Sequence, residues 1–272
     1  MNELEQKSAN YRRKILKYIK LANAGHTGGD LSCIDIINVL YNRVMNISPY
    51  NFDKSDRDRY IQSKGHSVEA LYVVLADCGF FPEHDLETMC RYQSHYVGHP
   101  TRQVYGIEHN TGALGHGLSV SVGMAIAGKM DALDYRVFCL LGDGELVEGS
   151  NWEAALAAAH YKLDNLIAIV DYNQLQITGR TRDVCRIDPV LDKFVTFGWA
   201  VDSVNGHDVA ELTNVLLHGP LESNKPSLIL ARTIKGKGVS FMENDATWHH
   251  RVPTETEYAL ALQEIDNSTR MD

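Results

Sequence analysis

The sequence lacks the features that mark membrane, secreted and zinc-finger proteins. No apolar stretch in its 272 residues approaches the ~20 residues of a membrane span. Residues Met1 to Lys7 are polar and contain no signal-peptide core, so a cytoplasmic location is expected. The five cysteines are odd in number, lie far apart and show no zinc-ligand spacing. We therefore expect reduced thiols with structural roles.

Long basic runs are also missing. Arginine and lysine number 26 against 35 acidic residues, which gives a formal net charge of −9 and argues against nucleic acid as a partner. The apolar fraction of 44% is that of a globular enzyme rather than a disordered or fibrous chain. A chain of this length can bury a sizeable core, so residues 1–272 are expected to form one α/β domain.

The segment from Arg136 to Asn173 predicts a strand, a helix and a second strand. Arg136 to Leu141 and Leu166 to Val170 are short apolar runs typical of buried strands. Between them, Ser150 and Glu153 have the spacing of a capping box, which predicts a helix start at Ser150. Its apolar face is expected to consist of Trp152, Ala155, Leu156, Ala159, His160 and Leu163.

Polar residues follow both predicted strands. Gly142-Asp143-Gly144 comes after the first strand and Asn173 after the second. The carboxyl ends of parallel strands share one edge of a sheet, so Asp143 and Asn173 are expected to face the same crevice. A carboxylate and an amide oxygen suit Mg²⁺, which completes its shell with phosphate oxygens and water. The alternative is an ordinary turn in which Asp143 caps a helix.

Two glycine-containing turns carry histidines. His26 lies in Gly25 to Gly29, between a helix predicted over Tyr11 to Asn23 and another that begins near Ser32. His66 follows the short strand at Ile61 and Gln62 and precedes a helix. A histidine near a helix start lies where N–H groups favour an anion. The alternatives are that His26 lies in an inert surface loop and that His66 only caps its own helix.

Three further segments predict parts of a site. His99 follows a glycine in HYVGHP, and the turn TGALGHG from Thr111 to Gly117 opens a helix. That turn could hold a nucleotide phosphate, although it lacks the lysine of a P-loop. Thr233 to Gly238 (TIKGKG) predicts a mobile loop or a disordered linker some ten residues before Trp248-His249.

The segments DRDRYIQSKGHSVEALY and GDGELVEGSNWEA, together with Asn173 after the second of them, resemble transketolases. The likeness extends in the same order over roughly residues 10 to 265. The resemblance implies a thiamine diphosphate-binding fold, with a mostly parallel sheet and helices on both faces. It also implies thiamine diphosphate as cofactor, held through Mg²⁺ or another divalent cation such as Ca²⁺ or Mn²⁺.

The resemblance assigns roles to individual residues. The implied metal ligands are Asp143, Asn173 and the main-chain carbonyl of Leu175. The implied catalytic histidines are His26, His66, His99 and His249, with His250 a weaker candidate than His249. The implied cofactor contacts are His66, Gly112, Leu114, Gly142, Asp143, Gly144, Asn173 and His249. Glu148 matches a family glutamate at the dimer contact, and His116 replaces a glutamine, with contact to substrate or cofactor left open.

The implied reaction is transfer of a two-carbon ketol unit from a ketose phosphate to an aldose. Transketolases also need a glutamate from a pyrimidine-binding domain, and the sequence ends at Asp272 before such a domain. We therefore expect an N-terminal subunit of a split transketolase, completed by a C-terminal subunit in an α₂β₂ assembly. The alternatives are a regulatory cofactor-binding subunit, half of a deoxyxylulose-phosphate synthase-like enzyme, and a protein that binds another diphosphate. The sugars, a branched or sulfonated ketose among them, are not readable from this sequence.

Overall fold

A parallel β-sheet forms the centre of the computed structural model, which describes residues 2–268. In this part of the chain the sheet has five strands in the order β1-β2-β3-β5-β4. The strands are β1 Arg59–Gln62, β2 Val137–Gly142, β3 Leu166–Tyr172, β4 Ala200–Asn205 and β5 Ser227–Arg232. The helices are α1 Glu3–Ala22, α2 Thr27–Val39, α3 Val68–Asp77, α4 Gly117–Met130, α5 Gly149–His160, α6 Thr181–Val184, α7 Val190–Phe197, α8 Val209–Leu217 and α9 Glu255–Ser268.

Helices cover both faces of the sheet because the strands are apolar on both sides. In β2, Phe138 and Leu140 face one cluster of buried residues, whereas Cys139 and Leu141 face another. The first cluster includes residues of α1, α2, α3, α8 and α9, and the second includes residues of α4, α5 and α7. This arrangement confirms the expected α/β fold with helices on both faces.

The start of α5 differs from the prediction. The helix begins at Gly149, and its N-cap residue Glu148 makes no side-chain cap bond. The predicted capping box is wrong because Ser150 Oγ instead donates a hydrogen bond to the carbonyl of Gly115 (2.8 Å). The predicted apolar face is also shifted, since Leu156 is 54% exposed. The buried side of α5 consists of Asn151, Ala154, Ala155 and Ala158.

The second helix also begins earlier than predicted, at Thr27 rather than near Ser32. Gly29 N (2.9 Å) and Asp30 N (3.1 Å) both donate to the carbonyl of His26, which is the N-cap residue. Thr27, Gly28 and Gly29 of the predicted turn therefore belong to α2, and the helix fixes the backbone that follows His26.

In the part of the chain that the structure describes, no helix combines the length and apolarity needed to cross a membrane. The five cysteines are all free thiols.

Candidate active site

A cavity of about 180 Å³ opens at the carboxyl ends of β2 and β3. The two strands are paired in register, with Gly142 opposite Asp171. Nine of the residues predicted for the site line this cavity: His66, Leu114, Gly142, Asp143, Gly144, Glu148, Asn173, Leu175 and His249. Residues that are 183 positions apart in sequence, His66 and His249, thus meet at one sheet edge.

Asp143 is a buried carboxylate that lines the cavity, at 2% exposure. Its Oδ1 accepts a hydrogen bond from Gly144 N (2.7 Å) and its Oδ2 accepts one from Gln174 N. Asp143 therefore also caps the short turn Gly144–Val147, as the alternative interpretation required. Burial, with the charge of Asp171 nearby, raises the pKa of Asp143 to about 7. A divalent cation would relieve this cost, so the carboxylate fits a metal ligand.

Asn173 and Leu175 add two neutral oxygens. Asn173 Nδ2 donates to Ser32 Oγ and to Asp171 Oδ2, both at 3.3 Å, which fixes the orientation of the amide. Leu175 pairs with Arg180 in an antiparallel bridge whose hydrogen bonds come from the flanking residues. The carbonyl of Leu175 is therefore directed away from Arg180.

These oxygens form a donor set for a hard cation with few protein ligands. Within residues 2–268, no group of three or more His, Cys, Asp or Glu side chains is arranged to hold a metal ion. A cation at Asp143 would therefore depend on phosphate oxygens and water for the rest of its shell. This requirement fits a cation that arrives with a diphosphate.

A cluster of imidazoles adjoins the cavity. The ring of His26 lies 5.2 Å from that of His66, 5.4 Å from His249 and 6.1 Å from His99, measured between centroids. The ring of His250 lies nearest to that of His26, at 4.6 Å, although the resemblance made His250 a weaker candidate than His249 for a catalytic histidine. The structure thus brings the four predicted catalytic histidines together and adds a fifth; we call these five residues the histidine cluster.

The four predicted histidines of the cluster are uncharged at neutral pH. Burial, with neighbouring histidines and Lys235, lowers the pKa of His26 to about 3, and burial and Lys235 lower that of His249 to about 4. Burial also lowers the pKa of His66 well below its usual range and shifts that of His99 in the same direction. A neutral imidazole has one donor and one acceptor nitrogen, so these rings can hydrogen-bond a polyhydroxylated substrate in both senses.

Gly112 lies outside the cavity lining and against His99. Its φ of +133° and the contact distance explain why glycine occurs here, since a Cβ would lie 2.5 Å from His99 Cδ2. Gly112 therefore lets the TGALGHG turn approach the histidine closely. The predicted cofactor contact of Gly112 stays a prediction. His66 does not cap its own helix, because the N-cap residue of α3 is Ser67.

Sequence reasoning missed the ion pair beneath the cavity, Lys64 with Asp171. Their side chains are 2% and 0% exposed, and Lys64 Nζ also donates to the carbonyl of Gly29 (3.2 Å). Asp171 accepts further hydrogen bonds from Ser32 Oγ (2.5 Å) and Thr233 Oγ1. Burial alone would raise the pKa of Asp171, but Lys64 and the two hydroxyls together lower it. The lysine in Ser63 to His66 (SKGH) was the one feature of the sequence that could have indicated this ion pair.

Lys235 is a second missed residue, and the expectation of a loose loop is wrong at this position. It is 2% exposed, lines the cavity, and its Nζ donates to His249 Nδ1 (3.0 Å). The loop is held by a bond from Gly236 N to the carbonyl of Gly28 (3.0 Å). Burial and the charge of Lys64 lower the pKa of Lys235 to about 8. Among residues 2–268 it has no ion-pair partner, so its charge is available to an anion.

Glu145 was also missed, although it follows Gly144 directly. This buried carboxylate accepts hydrogen bonds from Gly115 N (2.9 Å), Gly142 N (3.0 Å) and Ser63 Oγ. Glu145 therefore joins the segments that contain Ser63, Gly115 and Gly142 through hydrogen bonds. His116, whose role the sequence left open, is exposed and lines a separate cavity with His109 and Asn110.

Comparisons with known proteins agree with this geometry. Residues 4–265 match the family model described as "Transketolase, thiamine diphosphate binding domain". One of the named subunits of the apulose-4-phosphate transketolase of Phocaeicola vulgatus is 47% identical over 262 residues, which cover 96% of this chain and 93% of that protein. The 6-deoxy-6-sulfo-D-fructose transketolase subunit SqwG of a Clostridium species is 41% identical over 263 residues, 96% of each chain.

Solved structures extend the likeness to longer transketolases. The transketolase of Campylobacter jejuni superposes with a TM-score of 0.89 at 33% identity, and the match covers 98% of this chain but only 43% of that one. This chain therefore spans less than half of that solved transketolase, whereas it matches the subunit relatives over nearly their whole length. The chain belongs to the family of transketolase thiamine diphosphate-binding domains, in the form that occurs as the N-terminal subunit of a split transketolase.

Proposed function

We propose that this subunit, with a separate C-terminal subunit, transfers a two-carbon ketol unit from a ketose to an aldose acceptor. Residues 1–272 supply the diphosphate-binding domain, and the partner supplies the pyrimidine-binding and C-terminal domains. An α₂β₂ assembly in the cytoplasm is the arrangement that we favour, with Glu148 at the contact between the two copies of this chain. The observation that carries the proposal is the meeting of the Asp143 cavity with the histidine cluster.

In this proposal the cavity holds thiamine diphosphate and a divalent cation, with Mg²⁺ the first choice and Ca²⁺ or Mn²⁺ as substitutes. Asp143, Asn173 and the carbonyl of Leu175 bind the cation, and the ammonium of Lys235 binds the diphosphate. The backbone of Gly142 and Gly144 and the side chain of Leu114 contact the cofactor. When bound, the cofactor supplies the carbanion chemistry of ketol transfer.

The histidine cluster binds and orients the sugar. His26 and His99 accept and donate hydrogen bonds to its hydroxyls, while His66 and His249 lie between the sugar and the diphosphate. Because the imidazoles of His26, His66 and His99 are neutral, they can pass a proton between a substrate hydroxyl and a neighbouring ring nitrogen, whereas His249 acts as a donor. Lys235 keeps His249 in one tautomer, since its ammonium occupies Nδ1 and leaves the proton on Nε2.

The donor is proposed to be a ketose with an anionic group at its far end. The two subunit relatives are named for a sugar phosphate and for a sulfonated sugar, both of which carry such a group. In this proposal the residues that select the anionic group lie in the partner subunit. The histidine cluster then recognises only the hydroxyls near the reacting carbonyl.

The test is cofactor binding by the purified complex, measured by isothermal titration with thiamine diphosphate in the presence and absence of Mg²⁺. Asp143→Ala should abolish Mg²⁺-dependent binding and ketol transfer. The matched control is Asp183→Asn, which changes an exposed acid in α6. Unchanged binding and activity in Asp143→Ala would favour a regulatory subunit, and competition by ADP would favour a different diphosphate ligand.

The partner is tested by native mass spectrometry of the untagged protein from its own cells. A second chain at one-to-one stoichiometry supports the split enzyme. Copies of this chain alone, with full ketol transfer, would contradict it. Activity on deoxyxylulose-phosphate synthase substrates would instead favour the alternative that this chain is half of a deoxyxylulose-phosphate synthase-like enzyme.

A further inference from the structure

Two buried carboxyl groups lie behind the histidine cluster and take no part in the proposed cofactor site. Asp30, in the first turn of α2, is 0% exposed, and Glu69, in the first turn of α3, is 1% exposed. One oxygen is satisfied, because Asp30 Oδ1 accepts a hydrogen bond from Ala70 N (2.8 Å). This bond joins the starts of the two helices.

The remaining three carboxyl oxygens of the pair have no hydrogen-bond partner within residues 2–268. They are Asp30 Oδ2, Glu69 Oε1 and Glu69 Oε2, and the hydroxyl of Ser67 nearby is also unpartnered in this part of the chain. An unsatisfied buried polar group destabilises the fold, and more so when it is charged. Two carboxylates cannot satisfy each other because both are acceptors, whereas one proton makes one of them a donor.

The pair contacts both ends of the His26 turn. A Cβ on Gly25, whose φ is +149°, would lie 2.9 Å from Glu69 Oε1, so the carboxyl group packs directly on the backbone that precedes His26. On the other side, Asp30 N donates to the carbonyl of His26 (3.1 Å). The Glu69 carboxyl group therefore packs on the residue before His26, whereas Asp30 contacts His26 through its main-chain amide.

We propose that Asp30 and Glu69 share a proton and that the resulting hydrogen bond positions the turn that carries His26. Glu69 is the donor in this pair and Asp30 is the acceptor. Both are positioning residues, since neither lines the cavity. The proposal concerns the free chain as well as the complex and does not depend on the reaction.

The electrostatic surroundings support a retained proton. Burial, with the charge of Asp30, raises the pKa of Glu69 well above its usual range, and burial raises the pKa of Asp30 to about 7. The cation that acts on the pair is Lys64, which stabilises ionised Asp30 but is committed to Asp171. The other titratable neighbours are Cys33, Tyr72 and Cys90, whose pKa values burial raises, so they remain neutral.

The first test is the pH dependence of thermal unfolding for the full chain and for Glu69→Gln. The glutamine amide donates to Asp30 without a titratable proton. The folded wild-type chain keeps the proton of Glu69, whereas the unfolded chain loses it above about pH 4.3. The free energy of unfolding of wild type therefore falls as pH rises from about 4.3 towards the pKa of Glu69 in the folded chain. Glu69→Gln should therefore unfold at about the wild-type temperature at pH 5 and at least about 7 °C higher at pH 8.5, because a proton that is still bound at pH 7.5 is retained over at least about 2.5 pH units above pH 5. A difference that is independent of pH would overturn the shared proton.

The second test detects the proton and the positioning separately. The infrared carbonyl band of a protonated carboxylic acid should be present in wild type at pH 7.5 and reduced in Glu69→Gln. The imidazole resonances of His26 in ¹⁵N-histidine-labelled protein should shift in Glu69→Ala and return to their wild-type positions in Glu69→Gln. An absent band refutes the shared proton, and unshifted His26 resonances in a folded Glu69→Ala refute the positioning role.

Discussion

Removing Lys64 should leave a buried charge without its partner, and the cost can be worked from the contacts. Loss of one member of a buried pair typically costs about 3–5 kcal/mol. In Lys64→Met, Asp171 keeps the hydrogen bonds from Ser32 and Thr233, which offset part of the loss. We therefore expect the lower end of the range, about 3 kcal/mol, in the free energy of unfolding at pH 7.5. Urea unfolding with linear extrapolation measures it.

The pH dependence separates the charge effect from lost packing. Without Lys64, burial raises the pKa of Asp171 in the folded chain above the unfolded value of about 3.9. The deficit of Lys64→Met should therefore be small at pH 4.5 and grow as pH rises. The double variant Lys64→Met/Asp171→Asn should recover most of the stability, and Lys54→Met, at an exposed site, is the control. A loss below about 1 kcal/mol, or one equal at both pH values, would refute the reasoning.

Three further predictions concern a second buried ion pair and two positions at the site. Arg12→Leu should cost about 3–5 kcal/mol at pH 7.5, because Asp35, whose pKa Arg12 and His207 lower despite burial, loses its bidentate partner. That deficit should shrink as pH falls below about 4, where the unfolded aspartate takes up a proton, and urea unfolding at pH 7.5 and 3.5 checks it. Gly112→Ala should cost about 1–3 kcal/mol and shift the His99 imidazole resonances, because a Cβ clashes with that ring; unchanged resonances would contradict this. Cation-dependent cofactor binding should weaken as pH falls below about 7, towards tenfold per pH unit, because a proton competes for Asp143. Titration at pH 6, 7 and 8 measures it, and equal affinities would contradict it.

Local patterns in the sequence were sufficient to predict which strand ends form the edge of the sheet at the site. The apolar runs before Asp143 and Asn173 became adjacent parallel strands because a strand, a helix and a strand allow few other arrangements. The meeting of the four histidines, by contrast, was implied only by the resemblance to transketolases, because the turns that carry them lie far apart in sequence.

Contacts between distant segments could not be predicted in this way. Ser150 has the local pattern of a cap, yet its hydroxyl bonds to Gly115, a residue 35 positions earlier. Lys64 and Asp171 are separated by 107 positions, and neither local sequence specifies a charged partner. Lys235 was predicted to lie in a mobile loop over Thr233 to Gly238, whereas its contact with His249 and the bond from Gly236 N to Gly28 hold it in a buried position. Local propensity gives the conformational preference of each segment by itself, so it does not predict contacts between segments that form only on folding.

The buried charges at the site fall into two groups that imply different roles. Lys64, Asp171 and Glu145 have their hydrogen bonds supplied within the chain, so they hold the turns in place whether or not a ligand is bound. Asp143 and Lys235 are equally buried but lack an ion-pair partner within residues 2–268, and they carry opposite charges on one cavity wall. An unpaired carboxylate and an unpaired ammonium are complementary to a cation and a diphosphate, respectively. Among the charged residues that line the cavity, incomplete pairing therefore supports the proposal that Lys235, like Asp143, binds ligand.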